Sequence, residues 1–254
     1  MIRGFMEHLA DPRMWFFIVL TGVWAFRSER ARRTLLTAPV VHPMPEPSNP
    51  AGSSPLISVL IPAKNEENNI RECLNLLLAQ EYPHYEILVA NDSSKDGTEE
   101  ILKSYGDKIT YFNVPPTPDG WTGKNFALHT LVQHARGEWF LFTDADTRHH
   151  ASSLRSSIEH AMSRDLAFLT LLPRCLTTAF WEDILQPCML GFTGLWFPLE
   201  KINAPDSGIY FANGQYILLK RPLYKKIGGH QKVHGEFLED FGLMRETRAV
   251  RQRA

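Results

Sequence analysis

In FLFTDADTRHH, Phe140 to His150, two carboxylates two positions apart follow an apolar run. In a chain still extended there, Asp144 and Asp146 project to the same side. Two unpaired carboxylates facing one site repel each other, and one of them would keep its proton. A hard divalent cation removes that conflict. Oxygen ligands suit Mg²⁺ or Mn²⁺, and His149 offers a nitrogen, which favours Mn²⁺. Such ions keep positions open for substrate phosphates. The plainer reading of these residues is a polar turn that caps the next helix.

Four other stretches carry comparable polar groups. In PAKNEENNI, Pro62 to Ile70, Asn65 can cap a helix with Glu66 and Glu67 favoured by its dipole, or the segment can hold a ligand. In NDSSKDGT, Asn91 to Thr98, Ser94 can cap a helix and Asp96-Gly97 can turn the chain, while Asp92 can accept hydrogen bonds from a base or sugar. In DGWTGKNFALH, Asp119 to His129, Gly120 and Gly123 permit a close chain approach. Lys124 then opens a helix, where a cation opposes the dipole and an anionic ligand would relieve the conflict. The spacing is not that of a Walker loop. In HGEFLEDFGLMRE, His234 to Glu246, Glu239 and Asp240 interrupt apolar residues at helical spacing, ordinarily a solvated face.

The elements that must position these groups alternate. Short apolar runs at 56–62, 85–90, 109–114, 138–144 and 166–172 read as strands. Helical periodicity fills 67–80, 96–105, 124–135 and 152–163. That order predicts an α/β fold, a parallel sheet with helices on both faces. Ligands then bind at the carboxyl ends of the strands, where the polar clusters fall.

The N-terminal stretch Met14 to Phe26, MWFFIVLTGVWAF, is almost wholly apolar. As a helix it covers about 20 Å, short of a hydrocarbon core of about 30 Å. Tryptophans near its ends suit a membrane interface, and Arg27, Arg30, Arg32 and Arg33 keep the downstream chain in the cytoplasm. Residues 1–38 therefore read as a membrane-anchor helix with a basic flank, in preference to a buried amphipathic helix or a signal peptide. The catalytic domain would lie on the cytoplasmic face of the cell membrane. Residues 39–55 are dense in proline and small polar residues and read as an extended linker. The net charge of −1 carries no sign of nucleic-acid binding. Cys73, Cys175 and Cys188 match neither a zinc site nor a disulfide framework.

Taken in order, IPAKNEE, ILVANDSSKDGT, GWTGKN, FTDADTRH, FANGQYILLKRPLYKKIGGH and EFLEDFGL resemble glycosyltransferase family 2. The details of GWTGKN, DADTRH and FANGQYILLKR resemble its membrane-anchored branch of hopene-associated and carotenoid glycosyltransferases. The resemblance implies a GT-A fold over 56–254, with a Rossmann-like nucleotide-binding sheet. It implies a nucleoside-diphosphate sugar donor, commonly a UDP-sugar, a lipid-type acceptor, and inversion at the anomeric carbon. On this footing Ala63, Asn65 and Glu66 belong to the donor pocket, and Asp92 contacts the nucleobase. Lys124 lies near the nucleotide, and Asp144 near ribose or phosphate. Asp146 binds the metal, with His149 as a candidate further ligand. Asp240, preceded by Glu239, is the expected general base. The branch normally continues past the Glu-Asp pair with more acceptor-domain sequence and hydrophobic helices, so truncation at the C-terminus is expected. A nucleotide-sugar-binding remnant without catalysis is the alternative. A DxDxT phosphatase is disfavoured because Asp144 to Thr147 comes after the fourth strand instead of the first.

Overall fold

Apolar residues line both faces of the central strands, so the sheet must be covered on both sides. The computed structural model describes residues 12–36, 40–42, 54–177, 179–204 and 207–250. Most of the expected linker, and Arg251 and Arg253 near the C-terminus, lie outside these. In chain order the elements are α1 (Pro12–Leu36), β1 (Ile57–Ala63), α2 (Ile70–Leu78), β2 (Tyr85–Asn91), α3 (Thr98–Lys103), β3 (Thr110–Asn113), α4 (Gly123–His134) and β4 (Trp139–Phe142). They continue as α5 (Ser153–Ser163), β5 (Phe168–Thr170), α6 (Phe180–Trp196), α7 (Leu199–Ile202), β6 (Ile217–Lys220), α8 (Arg221–Lys226), α9 (Gly229–Lys232) and α10 (Glu239–Ala249).

The chain divides into two units. One comprises Met1–Pro39 and Cys175–Ile209, the other Val40–Arg174 and Tyr210–Ala254. The stretch expected as one domain over 56–254 thus contributes to both.

In the first unit α1 packs against α6 and α7. The helix α1 runs past its apolar stretch into the arginines, and Glu29 pairs with Arg32 and Arg33 at 2.7 Å. Trp15, Phe16, Phe17 and Trp24 on α1, and Phe180, Trp181 and Trp196 on α6, are exposed. Among the described residues no helix is long and apolar enough to cross a membrane.

The second unit holds a six-stranded sheet in the order β3-β2-β1-β4-β6-β5. The first four are parallel, whereas β6 runs antiparallel to both β4 and β5. This corrects the all-parallel expectation. The strand β6 escapes a sequence reading because its four residues, ILLK, pass straight into α8 with no turn residue between. Alternation sorts the core. Ile57, Val59 and Ile61 of β1 and Leu141 of β4 face α2 and α5 through Leu74, Leu77, Leu154 and Ile158. Leu60, Leu88, Phe140 and Phe142 face the opposite way, onto Leu128 and Leu131 of α4 and onto Tyr224 and Leu243. The carboxyl ends of β1, β2 and β4 therefore open on one edge, with α4 and α10 on the second face.

Candidate active site

The loops after β1 and β2 are laced by reciprocal hydrogen bonds. The amides of Asn65, Glu66 and Glu67 donate to Ser94 Oγ, Thr98 Oγ1 and Asp96 Oδ2 at 3.0, 2.8 and 3.1 Å. In return the amides of Lys95 and Gly97 donate to Asn65 Oδ1 and Glu67 Oε2 at 2.8 and 2.7 Å. Asn65 sits at φ 57°, in the left-handed region that its short polar side chain tolerates. Neither Asn65 nor Ser94 caps a helix, as the sequence suggested: α2 begins only at Ile70, and both side chains are committed to the opposite loop. Glu66 accepts from Asn69 Nδ2 at 2.9 Å.

Ala63 is buried at the end of β1, and its carbonyl accepts the amide of Asp92 at 2.8 Å. Asp92 is also buried, with Lys64 Nζ 3.0 Å from its Oδ2. The backbone at Gly123 presses so close that a Cβ there would stand 2.7 Å from that same oxygen. The start of α4 therefore abuts the aspartate at the end of β2.

Thr122 caps α4, its hydroxyl oxygen accepting the Asn125 amide at 3.3 Å. The buried side chain of Asn125 donates from Nδ2 to the carbonyls of Val233, His234 and Glu236 at 2.8, 3.0 and 3.0 Å. The Thr122 amide donates to the His234 carbonyl at 2.9 Å. These bonds fasten the chain leading into α10 to the start of α4. Sequence reasoning passes over Asn125, whose only signal is a polar residue at a buried helical position.

The result is a bridge. Lys124 Nζ lies 2.9 Å from Asp144 Oδ1 and 2.8 Å from Glu239 Oε1. Burial opposes the ammonium charge, but Glu239 and Asp144 more than offset it and raise the Lys124 pKa. Burial pushes the Asp144 carboxyl up, against the pull of Lys124, and Asp146 and Glu239 add to the rise. The neighbouring Asp240 is half-buried in the first turn of α10. Its Oδ2 accepts the Gly214 amide at 2.9 Å and its Oδ1 the Phe241 amide at 2.8 Å.

Asp146 is exposed. His149, the expected further ligand, lies inside the turn after β4. Its imidazole is buried, with Nε2 at 3.2 Å from Thr143 Oγ1 and 3.0 Å from Thr147 Oγ1. Those hydroxyls also lie 2.8 and 2.7 Å from the carbonyls of Gln215 and Asp144 and 2.8 Å from each other, so the imidazole belongs to a buried hydrogen-bond network. Burial pushes this imidazole down to about 4. Among the described residues, no group of three or more His, Cys, Asp and Glu side chains is arranged to hold a metal. A hard cation that keeps water and phosphate oxygens still fits the exposed carboxylate of Asp146 beside Asp144, since it needs only one or two carboxylates.

A family model described as Glycosyl transferase family 2 matches residues 58–228. An uncharacterized glycosyltransferase of Rickettsia typhi is 40% identical over 105 residues, covering 41% of this chain and 31% of the relative. The 4,4'-diaponeurosporenoate glycosyltransferase of Staphylococcus aureus is 27% identical over 197 residues, covering 74% of this chain and 50% of the relative. The chain thus spans between about a third and a half of these relatives. Among solved structures, a mannosyltransferase of Pyrobaculum calidifontis in complex with GDP-Man and Mn²⁺ aligns with a TM-score of 0.61 at 24% identity. That alignment covers 93% of this chain and 64% of the other. S. aureus TarS 1-349 in complex with UDP aligns with a TM-score of 0.51 at 22% identity, over 74% and 54% of the two chains. Both likenesses concern the fold.

Proposed function

Because the chain belongs to glycosyl transferase family 2, we propose that it moves a sugar from a nucleoside-diphosphate donor to a lipid-type acceptor, with inversion at the anomeric carbon. The observation that carries this reading is the Lys124 bridge, which joins the Asp144 turn after β4 to the acidic start of α10.

Each residue has a physical part. The buried carboxylate of Asp92, at the end of β2, accepts hydrogen bonds from the base. Ala63, Asn65 and Glu66 shape the donor pocket through the laced loops. Lys124 meets the negative charge of the diphosphate, and Asp144 lies towards ribose and phosphate. Asp146 would hold Mn²⁺ or Mg²⁺, and such a cation, when bound, offsets charge on the leaving diphosphate. His149 supports the turn through the threonines instead of joining that set.

Inversion needs one displacement, and the acceptor hydroxyl must lose a proton as its oxygen attacks. Glu239 is ion-paired to Lys124 and only 7% exposed, which leaves the half-buried Asp240 as the base. Its two backbone donors fix the carboxylate without neutralising it. Holding donor and acceptor together converts a bimolecular step into a local one. An acidic acceptor would be ionised near neutral pH and would need no base. The relative named for diaponeurosporenoate, and the exposed aromatic residues of α1, favour an apolar acceptor met at a cytoplasmic membrane face.

Titration of UDP-, GDP- and dTDP-sugars with and without Mn²⁺, followed by anomeric analysis of product made on a lipid extract, tests this. Metal-enhanced donor binding and an inverted product are expected. Failure of every nucleotide to bind, or a retained configuration, would refute it.

A further inference from the structure

The segment LYKKIGGH, Leu223 to His230, has a place in the fold that the proposed chemistry leaves unused. His230 is fully buried. Its backbone amide donates to the Tyr224 hydroxyl oxygen at 2.9 Å, and its Nδ1 lies 2.9 Å from the same oxygen. With the oxygen already accepting that amide, the phenolic hydrogen is directed at Nδ1. A neutral imidazole that accepts at Nδ1 carries its proton on Nε2. Burial, reinforced by the charges of His129 and Lys124, keeps the ring neutral.

The arrangement demands Gly229. That residue sits at φ 52°, and a Cβ there would fall on the Tyr224 ring and stand 2.6 Å from its hydroxyl. Only glycine lets the chain pass so close to the phenol and deliver the next residue's amide to it.

Among the described residues His230 Nε2 has no hydrogen-bond partner. Yet the residue lines a cavity of about 10 Å³ whose other polar walls are Lys124, Thr143, Asp144 and Glu239. That is about the least room that holds one water, and the cavity's polar walls offer it several partners. A buried N–H with no acceptor is costly. A water taking that hydrogen bond has two hydrogens of its own to give, and carboxylates stand in the same wall.

We propose that His230 is a positioning residue: the Tyr224–His230 pair presents an Nε2–H that, through one bound water, steadies the carboxylates bridged by Lys124. The mechanistic consequence rests on the sugar-transfer reading above, whereas the hydrogen-bond geometry does not.

Two measurements on the full chain separate them. In ¹⁵N-histidine-labelled protein at neutral pH, His230 is expected as the Nε2–H tautomer, with a cross-peak from its Nε2–H to bound water. A protonated Nδ1, or no water cross-peak, would overturn the proposal whether or not transfer is ever seen. In the transfer assay, His230→Phe is expected to lower kcat about tenfold with the donor KM within about twofold, and His230→Gln, which returns a donor near Nε2, to recover part of it. A kcat for His230→Phe within twofold of wild type would overturn the positioning role. Absence of transfer by wild-type protein would count against the sugar-transfer reading and leave the spectra to decide the geometry.

Discussion

The ammonium of Lys124 stands 2.8 Å from Glu239 Oε1, so the first turns of α4 and α10 share an ion pair. The same nitrogen reaches Asp144 at 2.9 Å. One cation thus holds together three segments that are remote in sequence.

Replacing that cation isolates its contribution. Lys124→Met keeps most of the length of the side chain and leaves Glu239 buried without its partner. Breaking a fully buried pair costs about 3–5 kcal/mol. The ammonium is partly exposed, so a loss of about 1–2 kcal/mol is expected in urea unfolding. Nucleotide affinity should fall at least tenfold in titration calorimetry, because a positive charge has left the diphosphate's surroundings. Unchanged affinity would exclude Lys124 from the donor site.

Asp240 and Glu239 should separate by phenotype. Asp240→Asn is expected to reduce kcat on an alcohol acceptor by about 10²–10⁴ while leaving donor affinity unchanged. On an acidic acceptor the same variant should lose little, since no proton has to be removed. Glu239→Gln removes a charge from the Lys124 bridge and should alter donor affinity as well as rate. Steady-state kinetics on both acceptor types, with donor binding measured separately, decide this. A normal rate for Asp240→Asn on the alcohol would exclude its role as base.

The two expected metal ligands make opposite predictions. Asp146 is exposed at the turn, whereas the buried His149 Nε2 lies within hydrogen-bond reach of two threonine hydroxyls. Asp146→Ala should abolish the enhancement of nucleotide binding by Mn²⁺. His149→Gln should retain it, because the imidazole contributes packing and hydrogen bonds. Calorimetry of UDP with and without Mn²⁺ in each variant distinguishes them. Loss of the Mn²⁺ response in His149→Gln would restore the histidine as a ligand.

The range of the forces involved decides how much of the molecule is legible in its sequence. The strands β1 to β5 and the helices between them are local patterns of apolar residues, and each lies within a few residues of its expected place. The antiparallel β6 is hidden because its partners, Phe140 and Leu141 on one side and Phe168 and Leu169 on the other, are far away in the chain. Asp92, Lys124 and Asp144 are legible as polar residues at strand or helix ends. Their connection is not, because it depends on Asn125 gathering three carbonyls from residues 233 to 236. The threonine contacts of His149 are hidden for a related reason: Thr143 and Thr147 look, in sequence, like ordinary turn residues.

The buried imidazole of His149 gives the protein an acid-sensitive stability. In the unfolded chain a histidine titrates near pH 6.5. In the folded protein burial pushes His149 down to about 4. Between these values the unfolded state binds more protons, so stability rises with pH across the window. It is fully present above about pH 6.5 and declines as the pH falls towards 4. By about pH 4.5 the loss from this one group is about 2–3 kcal/mol. His230, also pushed down by burial, acts in the same direction. His149→Gln keeps a hydrogen-bonding group near the threonines but has nothing to protonate. Urea unfolding at pH 7 and pH 4.5 should therefore show a smaller drop for the variant than for the wild type, by about that amount. Equal drops would mean that the folded protein admits the proton at position 149 as readily as the unfolded chain does.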